Sequence, residues 1–373
     1  MPKARYIMVG GFLGAGKTTA ILKAAQLLRD RGLRVGLITN DQSYGLVDTA
    51  MLSAHGFAVE EITGGCFCCK FNSLVEAAER LTAESTPDTF IAEPVGSCTD
   101  LKATVDYPLR RMYGADFQIA PLSVLVDPVR AMRILGLEQG RTFSPKVVYI
   151  YRKQLEEAEV IVVNKADLLP PARLDELRSA LGREFPKARV HTMSARTGEG
   201  LAEWVDLVTA QSPRLAGAME VDYDTYAEGE ALLGWLNATA ALESAEPFDG
   251  NAMLAGLAGS IQAQLRGHGA EVAHLKMTLT PAEDGGDIAV ANLVRSDGRP
   301  ELSHTLREPL EAGLLIVNLR AEADPEVLRR EVSAALVNLG KLRPGVEAVV
   351  EHIECFRPGR PTPTHRLAMT GPE

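Results

Sequence analysis

The sequence of 373 residues predicts an α/β protein, with a mostly parallel sheet in a first domain and a smaller α+β domain after it. Three observations carry this. Through roughly the first 210 residues, short and nearly continuous apolar runs alternate with helix-periodic stretches, the pattern of strands covered on both faces. A glycine-rich loop, GGFLGAGKTT, separates the first apolar run from the first helical stretch. Beyond residue 212 the alternation gives way to longer strand-like runs and two helices.

In order along the chain, RYIMVG (5–10) is the first strand, and AILKAAQLLRDRG (20–32) has helical spacing with Gly32 as its stop. Further strands are expected at 34–39, 57–62, 89–94, 122–127, 159–165 and 189–195. Helices are expected at 73–81 and 172–185. SPRLAGAME (212–220) reads as a linker. The second part offers a strand at 232–244, with Trp235, Asn237 and Thr239 on one face, and a helix at 251–269. A hairpin (271–280 and 287–296) turns around PAEDGG, and a strand follows at 313–321. The helix at 324–340 has Asp324 as N-cap, Pro325 behind it and Gly340 at its end. A closing strand spans 346–356. The order β-α-β-β-β-α-β predicts a ferredoxin-like sandwich with one extra strand. The expected domains are 1–215 and 222–358, followed by an irregular Pro-rich tail at 359–373.

With 46% hydrophobic and 24% charged residues, the composition is that of an ordinary globular chain. A formal net charge of −10 argues against binding nucleic acid through its phosphates. No apolar run is long enough to span a membrane, and no secretory leader is apparent. Five cysteines, three of them clustered, do not make a disulfide framework, so a reducing cytoplasm is the expected location.

Gly11, Gly16, Lys17 and Thr18 fit the phosphate-loop pattern G-x-x-x-x-G-K-[ST], placed between a strand and a helix as that pattern requires. Backbone amides of the loop, including those of Gly14, Ala15 and Thr19, would face phosphate oxygens at a helix N-terminus. Lys17 would neutralise charge on the β- and γ-phosphates, and Thr18 would ligate Mg²⁺. NKAD (164–167) ends another apolar strand. Asp167 there would accept two hydrogen bonds from guanine, Asn164 would tie this loop to the phosphate loop, and Lys165 would lie over the base. Ser194 and Ala195, in SAR after the last strand of this part, fit the loop that completes guanine recognition. The pair of motifs predicts GTP/GDP binding. In FIAEPVGS (90–97), Glu93 would hold the Mg²⁺ water shell and the Gly96 amide would sense the γ-phosphate. Asp41, in TNDQSYGLVD, would stand near the attacking water or a second metal, and for Asp48 in the same loop an Asx-turn is the competing reading.

GGCFCC (64–69) places Cys66, Cys68 and Cys69 behind two glycines that let the backbone bend, so that three thiolates converge on one ion. A fourth tetrahedral position then stays open, and thiolates favour Zn²⁺ or another soft divalent metal. Buried packing of the three thiols, or a redox pair of Cys66 with Cys69, are the competing readings. Cys98, five residues past Glu93 at the same end of the sheet, could contribute a further ligand, but it reads first as a small buried hydrophobe. Cys355 reads as core, and no histidine-rich tract suggests metal storage.

GGFLGAGKTT, GGCFCC, EPVG and NKAD, in this order, resemble the CobW-type family of metallochaperone GTPases, relatives of the nickel-insertion GTPases of urease and hydrogenase, over roughly residues 5–210. The resemblance implies a P-loop GTPase domain that hydrolyses GTP, binds zinc or a similar metal at the C-x-C-C cysteines and delivers it to a client metalloprotein. Catalytic positions would be Lys17, Thr18, Asp41 and Glu93. The second domain would recognise the client. Loading of a cobalamin-type cofactor into an enzyme is the nearest alternative. A ribosome- or RNA-associated GTPase, suggested by SARTGEGL, is a reading of another class. A homodimer is left open.

Overall fold

The computed structural model describes residues 3–40, 47–210, 217–282 and 286–367. It divides into two compact units. The first comprises residues 1–44, 56–227 and 360–373, and the second residues 45–55 and 228–359.

The first unit is built on an eight-stranded sheet: β1 (Ala4–Gly11), β2 (Val35–Asn40), β3 (Ala58–Ile62), β4 (Thr89–Glu93), β5 (Phe117–Ile119), β6 (Ser123–Val126), β7 (Val160–Val163) and β8 (Arg189–Thr192). The order is β3-β2-β4-β1-β6-β7-β8, with β5 also on β1, and every pairing is parallel. The strands are apolar and short because helices such as Lys17–Asp30 and Phe71–Ser85 bury them. β2 lies between β3 and β4, so the strand order departs from the chain order. Near its end Thr39 pairs with Glu93 of β4 and with Glu61 of β3, and Asn40 pairs with Ile62 of β3. The helix Pro145–Glu157 was not foreseen, because its KVVYIY run is β-branched and aromatic. Its start is nevertheless marked by Ser144 and Pro145.

The second unit carries an antiparallel sheet in the order β12-β11-β10-β13-β9-β14. Its strands are β9 (Leu233–Phe248), β10 (Glu271–Pro281), β11 (Ala289–Leu293), β12 (Glu301–His304), β13 (Leu310–Glu322) and β14 (Val346–Phe356). The four long strands β14-β9-β13-β10 follow the ferredoxin-like order. The helices Gly250–Gly267 and Pro325–Val337 pack on one face, over Leu236, Ala238, Leu275, Met277, Val317 and Leu319. Asp324 caps the second helix as its sequence predicts, its carboxylate accepting from the Glu326 amide at 2.9 Å. The sandwich has two extra strands where the sequence suggests one. β12 (ELSH) is four residues long and polar, and gives no alternation to read. On the opposite face the Arg320 guanidinium lies 4.0 Å from the Trp235 ring centre. The helix Val47–Ala54, which follows β2 in the chain, belongs to this unit: the Val47 amide donates to Asn318 (3.1 Å), and Val47 packs with Ile288 and Val290.

Glu157 closes the turn after β4 in the first unit. Its buried carboxylate accepts from the Lys102 amide (3.1 Å) and from the Thr99 hydroxyl (3.3 Å). Burial pushes this carboxyl up to about 8, against the opposing pull of the Lys102 amide. A carboxyl raised in the folded state keeps its proton where the unfolded chain has already lost it. The stability this gives is complete below the unfolded value and is lost as pH rises through the folded one. The melting temperature of Glu157→Gln, which cannot ionise, should therefore gain on the unmutated protein as pH rises from 5 to 8.5. A difference constant across that window would show that Glu157 does not titrate there.

Candidate functional site

The C-terminal ends of the parallel strands gather the loops named by sequence, as open α/β sheets do. The phosphate loop leaves β1 at Gly11 and enters the helix at Lys17, with Gly16 as N-cap at φ 84°. A side chain on Gly16 would be strained by that φ. Its Cβ would also stand 2.6 Å from Nδ2 of Asn164. Thr19 lies half-buried in the first helical turn. Lys17 and Thr18 are buried at the end of β4: the Lys17 ammonium is 3.7 Å from Oε1 of Glu93, and the Thr18 hydroxyl donates to the same oxygen at 3.3 Å. A hydroxyl and a carboxylate side by side are hard oxygen donors that fit Mg²⁺.

Asn164 spans two loops. Its Nδ2 donates to the Ala15 carbonyl (2.9 Å), and its Oδ1 accepts from the Ala195 amide (3.0 Å). Lys165, left-handed at φ 54°, donates to the Gly14 carbonyl (2.8 Å) and pairs with Asp127 at 3.0 Å. Asp167 sits in a 3-10 turn at the surface, paired with Arg196. Burial works against its charge, but the Ser194 hydroxyl and the Arg196 guanidinium hold it below the usual carboxylate range. Gly96 lies in the loop after β4, its carbonyl accepting from Gln154 at 2.9 Å. Asp41 lies outside the described residues.

The cysteine loop follows β3. Gly64 and Gly65 both take positive φ (73° and 153°), which turns the chain so that three thiols face one another. The sulfurs of Cys66 and Cys68 are 2.6 Å apart, those of Cys66 and Cys69 3.1 Å, and those of Cys68 and Cys69 3.6 Å. All three lie within 4.8 Å, the kind of group that could hold one ion. Hydrogen bonds shared with Cys68, Cys69 and Cys98 press the Cys66 thiol well below its ordinary value. The same sharing pushes Cys68 well above its own.

Asn40, the last residue of β2, holds this loop. Its buried Nδ2 donates to the carbonyls of Ile62 (2.9 Å) and Gly65 (2.7 Å), and its Oδ1 accepts from the Phe67 amide (2.8 Å). The sequence names Asn40 only as a member of a polar loop. Asp127 was also missed, although an Asp ending an apolar strand before Pro128 is an N-cap signal. It caps the helix Pro128–Ile134 and receives Lys165. Segment 360–367 gives no signal at all and yet packs on the cysteine loop. The Thr362 amide donates to the Cys69 sulfur (3.3 Å), the Thr364 amide to the Cys68 carbonyl (2.8 Å) and the Thr364 hydroxyl to the Cys69 carbonyl (3.0 Å). The Arg366 guanidinium reaches the Asp100 carboxylate at 2.7 Å, and His365 stands edge-on to Phe71 at 5.1 Å.

Residues 5–192 match the model of the CobW/HypB/UreG nucleotide-binding domain. The zinc chaperone YeiR of Escherichia coli (strain K12) is 28% identical over 165 residues, covering 44% of this chain and 47% of that protein. The zinc chaperone CobW of Sinorhizobium sp is 28% identical over 214 residues, covering 52% and 59%. The chain thus spans about half the length of the curated relatives it matches. The Zn(II)-bound YjiA GTPase from E. coli aligns over 91% of this chain and 99% of its own at 15% identity, with a TM-score of 0.37, too weak a likeness to argue from.

Cys69 is the half-exposed member of the cluster, and segment 360–367 lies against it. Removal of residues 360–373 should raise the alkylation rate of Cys69 severalfold, read by peptide mass spectrometry. An unchanged rate would show that the segment does not shield the thiol.

Proposed function

This chain belongs to the CobW/HypB/UreG family through its nucleotide-binding domain, and on that premise we propose that it is a GTP-hydrolysing metal carrier. It would bind zinc or a similar soft divalent ion at Cys66, Cys68 and Cys69 and release it to a client protein according to the nucleotide held. The observation that carries the reading is Asn40. One buried carboxamide fastens the cysteine loop to the end of β2, where the neighbouring Thr39 pairs with Glu93.

In this reading the phosphate loop binds the triphosphate through its amides and the helix N-terminus. Lys17 leaves Glu93 for the β- and γ-phosphates and offsets the charge that builds as a water attacks the γ-phosphorus and the bond to the bridging oxygen breaks, so that GDP leaves and phosphate forms. Thr18 and Glu93 would hold Mg²⁺ directly and through its water shell, which supplies further charge stabilisation when bound. Asn164 keeps the base-reading loop in register with the phosphate loop through Ala15 and Ala195. Asp167 accepts from the guanine N1–H and amine, with Ser194 and Arg196 setting its direction. The Gly96 amide reads the γ-phosphate. Soft thiolates suit the cargo ion, and its binding displaces the thiol protons.

Two changes test the nucleotide half. Lys17→Ala should abolish phosphate release while leaving the circular dichroism spectrum intact. Release at the unmutated rate would remove Lys17 from the chemistry. Asp167→Ala should cut the preference for GTP over ATP by about 1–3 kcal/mol, because the guanine donors lose their acceptor. Calorimetric titration that finds equal affinity of the intact protein for both nucleotides would end the GTP reading.

The coupling is tested by zinc competition at fixed pH with GDP and with a non-hydrolysable GTP analogue. Zinc affinity should differ between the two states by about 1–3 kcal/mol, the usual size of such couplings. It should collapse in the Cys66/Cys68/Cys69→Ser variant. Equal affinity in both nucleotide states would mean that the protein carries metal without gating it.

A further inference from the structure

We propose that Arg130 is a positioning residue of the phosphate loop, holding the Leu13 carbonyl so that the Gly14 amide faces the phosphates of a bound nucleotide. This rests on the GTP-binding reading above and adds to it a residue that acts through the loop.

A trans peptide unit is planar, so its carbonyl and the following N–H point in opposite directions. Three consecutive carbonyls of the phosphate loop accept from side chains outside it. The Arg130 guanidinium donates to the Leu13 carbonyl, the Lys165 ammonium to that of Gly14 (2.8 Å) and Nδ2 of Asn164 to that of Ala15 (2.9 Å). These bonds set the direction of the next three amides. The Ala15 amide turns onto the Phe12 carbonyl at 3.1 Å and closes the turn. The amides of Gly14 and Gly16 have no protein acceptor among the described residues, and both glycines are left-handed, at φ 78° and 84°. Successive amides in such a turn form a concave anion site. Asn164 and Lys165 come from the NKAD loop named by sequence. Arg130 comes from the helix Pro128–Ile134, and no motif of the sequence includes it.

The surroundings commit Arg130 to this contact. It is 4% exposed, and its guanidinium lies 5.4 Å from the Phe12 ring centre and 5.1 Å from that of Phe143. A buried charge is costly unless it is hydrogen-bonded, and a charged donor makes a stronger bond than a neutral one. The rings also restrict the planar fork, a shape an ammonium does not match. Asp127 caps the helix by accepting the Arg130 amide at 3.0 Å, and its other oxygen takes Lys165 at 3.0 Å. One buried carboxylate thus steadies two of the three anchors. Leu13 meets the loop after β4 as well: a Cβ on Gly96 would stand 2.8 Å from the Leu13 side chain and 3.1 Å from its amide nitrogen. The peptide that Arg130 holds therefore joins a residue packed against the Gly96 turn to the amide aimed at phosphate. An amide already aimed needs no reorganisation when charge builds on the phosphates.

The test titrates the full-length chain with GDP and Mg²⁺ and reads glycine amides by NMR, with isotope on glycine nitrogen and on leucine carbonyl carbon to select the Leu13–Gly14 peptide. GDP should move the Gly14 amide signal downfield, as a hydrogen bond to phosphate does. In Arg130→Met, which keeps the stem without the donors, that shift should largely vanish. Phosphate release at saturating GTP should fall about ten- to a hundredfold. The preference for GTP over ATP should persist, because Asp167 is untouched. A preference lost in step with release would mark a general loosening of the domain and overturn the proposal. A Gly14 shift and a release rate unchanged in Arg130→Met would also overturn it. So would an unmutated protein in which GDP moves the Gly16 signal but not that of Gly14, a result that decides the matter even if Arg130→Met does not fold. If GDP moves no glycine signal of the loop, the nucleotide reading beneath the proposal fails with it.

Discussion

Three hydrogen bonds of one side chain organise the cysteine loop of this molecule. Asn40 ends β2 with its carboxamide buried, and it satisfies the Ile62 and Gly65 carbonyls and the Phe67 amide at 2.7–2.9 Å. A loop with two glycines at positive φ has little intrinsic preference for one shape. Without a partner for its buried backbone groups it would lose either its fold or its burial, since each unsatisfied group costs about 1–3 kcal/mol. The carboxamide supplies both a donor and an acceptor. It does so from a strand paired on both sides, so its position is set by the sheet and not by the loop.

The sheet order gives that clamp its reach. The phosphate loop leaves β1, Glu93 ends β4 and the cysteines follow β3, while β2 lies between β3 and β4. Neighbouring strands are about 4.8 Å apart, so the cysteine loop and Glu93 are separated by about 10 Å with a single strand between them. Thr39 pairs with Glu93 in the ladder, and Asn40 is the next residue along the strand. Asn164 performs the matching task on the other side of β1, holding Ala15 and Ala195 with one carboxamide. Both are buried contacts that tie two segments of chain through one side chain.

Much of this was legible in the chain. The phosphate loop, NKAD and the glycine-cysteine run are local signals: their chemistry needs particular residues at fixed offsets, and each falls at the end of an apolar run where a strand stops. The capped helix at Pro325 was readable for the same reason. What escaped was non-local. ELSH is too short and polar to announce β12. Segment 360–367 is rich in proline and reads as irregular, and its contacts with Cys68, Cys69 and Asp100 join residues nearly 300 positions apart or more than 260.

Asn40 shows why the limit falls there. An asparagine at the end of an apolar strand, followed by Asp41, is most simply an Asx-turn. It becomes a clamp only because β3 pairs beside β2 in the register that sets Asn40 against Ile62. In the sequence the two are 22 positions apart, with a helix between them. The motifs name which loops carry chemistry, while strand order decides which of them can act on one another. Asn40, the residue whose role changed most between sequence and structure, therefore serves a loop that is not its own.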